Sequence, residues 1–266
     1  MSDKKINKMA LGIEYNGNTY CGWQKQNNKL SIQACIEKAI STIANESITI
    51  SCAGRTDAKV HAIGQVIHFE TYSNRKISAW IRGVNTYLPK DIAVVWVKEV
   101  SPYFHARFSA VARRYLYIIY NKKIRSAIFS NQVAYYPFFL KEKIMEKAGQ
   151  CLLGENDFSA FRSAKCQSNT PYRNIFHIRI NRNGGYIIID IKANSFLYHM
   201  VCNIIGCLIE IGSGKKPESY IAKILYSKKR PMDAIPAYPE GLYLFEVDYP
   251  AHFEIPSRKK ENFFIL

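Results

Sequence analysis

The chain has 266 residues, 48% hydrophobic and 22% charged, a soluble globular composition. At this length it buries roughly three quarters of its unfolded surface and needs no disulfide or metal staple. Its 37 Lys and Arg against 21 Asp and Glu give a formal charge of +16, which attracts polyanions, nucleic acid above all. Lys outnumbers Arg 24 to 13 and Ile and Asn are plentiful, a bias that AT-rich codon usage also produces.

In chain order, 10–15 reads as a strand, followed by a polar loop over 16–29. Ser31 is placed to cap a helix whose buried face is Ile32, Cys35, Ile36, Ala39, Ile40 and Ile43. The runs 48–52 and 65–70 are rich in β-branched and aromatic residues and flank a Gly-Arg-Thr-Asp loop. A helix over 77–87 stops before Pro89, and 92–100 is a strand. In the second half 114–120 is a strand and 141–153 a helix. The segments 175–181 and 186–192 form a hairpin through Asn183-Gly184-Gly185. Helices over 196–211 and 218–226 follow, and 242–249 closes as a strand. The pattern predicts an α+β fold of two similar halves whose sheets join, leaving a cleft between them.

Seven cysteines form no Cys-x-x-Cys pair, and with no Cys/His cluster or His-Glu-x-x-His they read as small core residues of a reducing compartment. No stretch near the start is apolar enough for a signal peptide. The greasiest segment, 197–211, carries His199, Asn203 and Glu210, so a buried helix is expected rather than a membrane span. A cytoplasmic protein is expected. Gly212-Ser213-Gly214-Lys215 lacks the spacing of a phosphate loop.

Two clusters carry chemistry. In Gly54-Arg55-Thr56-Asp57-Ala58-Lys59-Val60-His61-Ala62, Gly54 permits a tight turn, Arg55 offers a planar cation, and Asp57 is a carboxylate between apolar strands. An ordinary turn with Asp57 capping its own backbone fits the same residues. In Arg113-Arg114-Tyr115-Leu116-Tyr117, strand geometry puts Arg113, Tyr115 and Tyr117 on one face, suited to phosphate contact and base stacking; aromatic filling of a sheet fits equally.

These residues resemble the tRNA pseudouridine synthase A family. The likeness runs through Tyr20-x-Gly22-Trp23-Gln24, the 54–62 loop, Gly83-Val84-Asn85, Phe104-His105-Ala106-Arg107-Phe108-Ser109-Ala110, Arg114-Tyr115-x-Tyr117, Asp157-Phe158-Ser159-Ala160-Phe161 and Gly241-Leu242-Tyr243-Leu244, in order along nearly the whole chain. The resemblance implies two halves of RRM-like topology, 1–107 and 108–266, sharing a mixed, mainly antiparallel central sheet with helices on one side and a basic cleft. It also implies isomerisation of uridine to pseudouridine at positions 38, 39 and 40 of the tRNA anticodon stem-loop by a homodimer with no metal or cofactor. Asp57 falls on the family's catalytic aspartate, Tyr115 on its active-site tyrosine and Arg55 on the arginine that holds the flipped nucleotide; Arg113 is a further substrate-binding candidate. The reaction is redox-neutral, which agrees with the lack of a nucleotide or flavin motif.

Two departures stand out. Lys59 occupies a glycine position, and Cys202 in His199-Met200-Val201-Cys202-Asn203 replaces the arginine that pairs with the catalytic aspartate. Losing one partner of a buried ion pair typically costs about 3–5 kcal/mol, so reduced activity is expected. Two rival readings follow: a tRNA-binding chaperone that has lost catalysis, and a nucleosidase, which would call for a second carboxylate near Asp57.

Overall fold

β1 (Asn7–Tyr15) is buried along most of its length on both faces, as a central strand must be. In the computed structural model, which describes residues 5–164, 166–232 and 235–257, it pairs antiparallel with β3 (His61–Thr71), Leu11 opposite Ile67, and with β4 (Ile92–Glu99), Leu11 opposite Val97. α1 (Ile32–Ala44) and α2 (Ile77–Tyr87) connect these strands through β2 (Ser51–Cys52), which pairs antiparallel with β3. The resulting order β4-β1-β3-β2, with β-α-β-β-α-β connectivity, is the expected RRM-like plan. The described chain divides into two compact units, and this one takes it from both ends, up to Val111 and again from Tyr243. β10 (Leu242–Asp248) therefore returns to lie parallel with the start of β3, Tyr243 opposite His61.

The second unit, Ala112–Leu242, also mixes strands and helices. β5 (Ala112–Tyr120) is joined in parallel by the two-residue β6 (Ala134–Tyr135), and α3 (Glu142–Gly149) follows. β7 (Gly154–Asp157), β8 (Tyr172–Asn183) and β9 (Tyr186–Ala193) give the antiparallel order β5-β9-β8-β7. α4 (Met200–Gly212) and α5 (Tyr220–Ser227) complete it. Across β5 and β9 the buried Arg114 guanidinium binds Asp190 through two bonds of 2.7 and 2.5 Å, and His177 Nε2 lies 2.8 Å from the same carboxylate. Burial alone would raise Asp190, but the hydrogen bonds from Arg114 and His177 outweigh it and hold the carboxyl below its usual range.

Several expectations change in detail. Ser31 stands at the N-cap of α1 in extended conformation, but its buried hydroxyl makes no capping bond and finds no partner among the described residues. The helix expected over 196–211 begins only at Met200, because His199 has φ +62 and cannot belong to a right-handed helix. The Gly212–Lys215 segment is a helix stop: Gly214 takes φ +79 and Lys215 N–H returns to Glu210 O at 3.0 Å. All seven cysteines are free, but only Cys202 and Cys207 are fully buried, fewer than core packing predicted. Among the described residues no helix is long and apolar enough to cross a membrane, and no group of three His, Cys, Asp or Glu is placed to hold a metal ion.

Candidate active site

The 53–60 loop leaves the edge of β3 between the places where β2 and β10 pair with it. Arg55, Ala58 and Lys59 are exposed, Asp57 is half-buried, and Thr56 between them is buried. That inward residue is the loop's anchor. Thr56 Oγ1 lies 2.6 Å from Tyr15 Oη at the end of β1, and its carbonyl accepts the Trp23 N–H at 2.9 Å. At the loop's start, Gln65 Nε2 donates to Gly54 O at 2.6 Å and Ala53 N–H to Val66 O at 2.8 Å. At its end Val60 N–H reaches back to Asp57 O at 3.2 Å, closing the turn on which Lys59 has φ +66. Lys59 is thus a side-chain-bearing residue in the left-handed region, the conformation for which glycine is suited.

The neighbouring 16–24 segment holds this loop from the other side. Gly22 has φ +88, and a Cβ there would stand 3.0 Å from Thr56 O, 3.1 Å from Ala58 N and 3.2 Å from Asp57 C. Gly17 lies closer still, since a Cβ there would clash outright with Val60 O, and donates its N–H to His61 Nδ1 at 3.1 Å. Trp23 is fully buried and packs 5.9 Å from the Tyr15 ring, while Tyr20 Oη donates to Asp91 at 2.5 Å. Burial first, and then this hydrogen bond to a carboxylate, push the Tyr20 phenol well above its ordinary pKa, so it stays a neutral donor. His61 is sandwiched in the same wall, stacked 4.7 Å from Tyr243 of β10. The backbone carrying Asp57 therefore rests on glycine contacts, buried aromatics and hydrogen bonds from other segments as well as on its own turn.

Arg113 and Tyr115 lie in the second unit, on one face of β5. Arg113 Nη1 donates to Asn194 O at 3.1 Å, and the Tyr115 ring meets Phe196 edge-on at 5.2 Å. Tyr117, expected to offer a second stacking ring on that face, is fully buried and donates to Tyr238 O at 2.8 Å. Burial, then the nearby Cys202, Glu240 and Tyr238, raise its phenol well above the usual value. It is a core residue and cannot stack on a base. Cys202 is buried in the first turn of α4, where its carbonyl accepts Ala237 N–H at 2.9 Å. The next residue, Asn203, donates to Phe161 O at 2.6 Å, so the Asp157–Phe161 segment fixes the helix end that carries Cys202.

Reading the sequence did not single out Tyr15, Gly17 or Gln65, and none carries a chemical signature of its own. The signal available was the polar loop 16–29 with closely spaced glycines and aromatics between two apolar elements. Gly83-Val84-Asn85 proves structural: the Asn85 amide accepts Val94 N–H at 2.8 Å and donates to Val94 O at 2.9 Å, tying α2 to β4.

Comparison with known proteins places this arrangement. A sequence model of the tRNA pseudouridine synthase family matches residues 12–109 and 148–250, taking in the Asp57 loop, Cys202 and β10. The chain is 56% identical to tRNA pseudouridine synthase A of Klebsiella pneumoniae (strain 342) over 256 residues, 96% of this chain and 95% of that protein. It is 55% identical to the same-named protein of Escherichia fergusonii over 260 residues, 97% and 96% of the two chains. Against that of Pectobacterium atrosepticum it is 56% identical over 250 residues, 94% and 88%.

Proposed function

The chain belongs to the tRNA pseudouridine synthase A family, and from that premise we propose that it isomerises uridine to pseudouridine at positions 38, 39 and 40 of the tRNA anticodon stem-loop. The observation that carries the reading is the clamped loop: a half-buried carboxylate, Asp57, on backbone held by Thr56, Gly22 and Gln65. A turn that merely reversed the chain would not need its backbone fixed from three other segments. A group that must meet a reacting carbon does, since small misplacements are costly.

In this reading Asp57 is the catalytic nucleophile, meeting the positive charge that builds on the ribose as the C1′–N1 bond breaks. The freed uracil turns, its C5 bonds to C1′, the C5 proton leaves and N1 gains one; no electrons enter or leave, so no cofactor is called for. Unstacking the uridine costs a few kcal/mol. The exposed Arg55 offsets that cost by holding the nucleotide out of the helix. Tyr115 packs against the uracil, its ring already braced by Phe196, and Arg113 contacts the RNA backbone. A buried Cys202 cannot supply a cation to Asp57, so activity is reduced but real; Cys202→Arg raises kcat, by up to about a hundredfold for 3 kcal/mol regained. The protein works in the cytoplasm as a homodimer.

Carbodiimide mapping of a tRNA bearing uridines at all three positions, after incubation with the protein, tests the reaction and its sites together. Modification confined to the anticodon arm is expected; free uracil in place of pseudouridine would instead mean a nucleosidase.

A further inference from the structure

The motif Phe104–Ala110 is taken up only in part by the core and not at all by the chemistry above. Its first residue is an anchor: Phe104 is fully buried, with Tyr249 at 5.1 Å, Phe253 at 5.2 Å and His68 edge-on at 6.0 Å. Ala106 is tied at both ends of its peptide unit, its N–H donating to His68 Nδ1 at 3.1 Å and its carbonyl accepting from Tyr249 Oη at 2.6 Å. His105 Nδ1 accepts the N–H groups of Arg107 and Phe108 at 3.1 and 3.3 Å. The result is a rigid loop whose next ring points outward. Phe108 is 75% exposed, yet it is backed by the His105 imidazole at 4.4 Å and flanked by the Arg107 guanidinium at 5.5 Å from its centroid.

An aromatic ring left in water gains nothing for folding. Ordering it as well costs side-chain entropy. Two neighbours, His105 and Arg107, nevertheless pack against this ring, and the second puts a cation over it. The location explains why. Ser51 of β2 pairs with His68, the residue that grips Ala106, and Cys52 is three residues before Arg55. Burial pushes the Cys52 thiol up to about 12, while Arg55 and Arg107 both pull it the other way. Arg107 and Phe108 thus follow directly on Ala106, which is tied to His68, and His68 pairs with the strand that leads into the 53–60 loop, all within one unit.

We propose that Arg107 and Phe108 form an RNA-binding subsite flanking the Asp57 loop, in which Phe108 stacks on an unpaired nucleobase other than the target uridine and Arg107 holds an adjoining phosphate. An exposed flat ring with a cation close by is suited to taking a base and its backbone together, and the +16 charge of the chain favours a polyanion over a protein partner. The inference rests on the tRNA substrate proposed above. It adds a second grip, away from the reacting uridine, that steadies the strand while that uridine is turned out.

The test uses the full-length protein, unlabelled tRNA for equilibrium binding and C5-tritiated tRNA for turnover. Phe108→Ala should weaken tRNA binding and raise KM about thirtyfold, the middle of the range for one stacked base, with kcat within twofold of wild type. Phe108→Trp should restore both, since any flat ring serves. Arg107→Ala should lower the slope of log affinity against log salt by about one, as expected for one lost phosphate contact. Unchanged binding and KM in Phe108→Ala overturn the proposal. So does a change in the sedimentation of the protein alone with KM intact, which would mark the ring as a protein contact. A wild type that binds tRNA but does not isomerise it sinks the proposed reaction instead, and the binding comparison still decides the subsite.

Discussion

Gly22→Ala is the substitution that best separates a clamped catalytic loop from an incidental one. The change adds one methyl group far from the carboxylate in sequence and introduces no charge. At φ +88 an alanine costs about 1–2 kcal/mol in backbone strain alone. Its Cβ would also stand 3.0–3.2 Å from Thr56 O, Ala58 N and Asp57 C, tighter than ordinary contact. These neighbours are backbone atoms and cannot swing aside as a flexible side chain would, so the loop must shift by a few tenths of an ångström. The neighbouring Trp23 N–H to Thr56 O bond stretches with it. Together these effects predict a stability loss of roughly 1–3 kcal/mol, or several degrees in melting temperature. A misplacement of 1 Å costs on the order of a hundredfold in rate; a few tenths should cost about tenfold in kcat, with KM little changed. Urea unfolding and tritium release from C5-labelled tRNA measure the two. Wild-type kcat in a protein whose stability has dropped would show that Gly22 supports the fold but not the position of Asp57, and the argument would fail.

Other outcomes follow from single features. Lys59→Gly relieves a left-handed residue but frees the unfolded chain, so a net gain of about 0.5–1 kcal/mol is expected in denaturant unfolding; a loss would mean that the lysine side chain makes a contact worth more than the strain. Asp190→Asn removes the charge that faces the buried Arg114 and should destabilise by roughly 3 kcal/mol, with a wild-type-like midpoint as the contrary result. Burial first, then His105 and Lys8, with Glu70 opposing, lower His68 to about 4. Its folded pKa is below the unfolded value, so the unfolded chain takes up the proton first. Melting temperature should therefore hold above pH 6.5 and fall as pH drops from 6.5 to 4. His68→Asn, which keeps an acceptor for Ala106 N–H, should flatten that fall, and an equal fall in the variant would remove His68 as its cause.

Much of this architecture was legible from hydrophobic spacing. α2 runs over the predicted 77–87, and β8 and β9 turn at Gly184 and Gly185 as the Asn-Gly-Gly run foretold, with Asn183 opposite Tyr186. β6 and β7 were not foreseen. Each has few residues, and Gly154-Glu155-Asn156-Asp157 carries no apolar alternation; it becomes a strand because β8 offers it an edge. The reach of β3 back to His61 was also missed, since its first residues pair with β10, nearly two hundred positions away. At the site, the loop's composition drew attention to Asp57 and Arg55, though an ordinary turn fitted the same residues equally. What could not be read was the support beneath them: Tyr15, Gly17 and Gln65 act through distance and backbone conformation, which residue type alone does not encode. Tyr117 shows the opposite failure. Strand alternation placed it beside Tyr115, but the segment at Tyr238 covers it.

The account turns on the Asp57 carboxylate. The deciding measurement is tritium release from C5-labelled tRNA by wild type, Asp57→Ala and Cys202→Arg side by side. The account predicts slow release by wild type, none from Asp57→Ala even at enzyme in excess over tRNA, and faster release from Cys202→Arg. Release by Asp57→Ala at the wild-type rate would contradict it outright. Silence from wild type with rescue by Cys202→Arg would mean that the family's chemistry has been lost at Cys202, leaving a tRNA-binding protein.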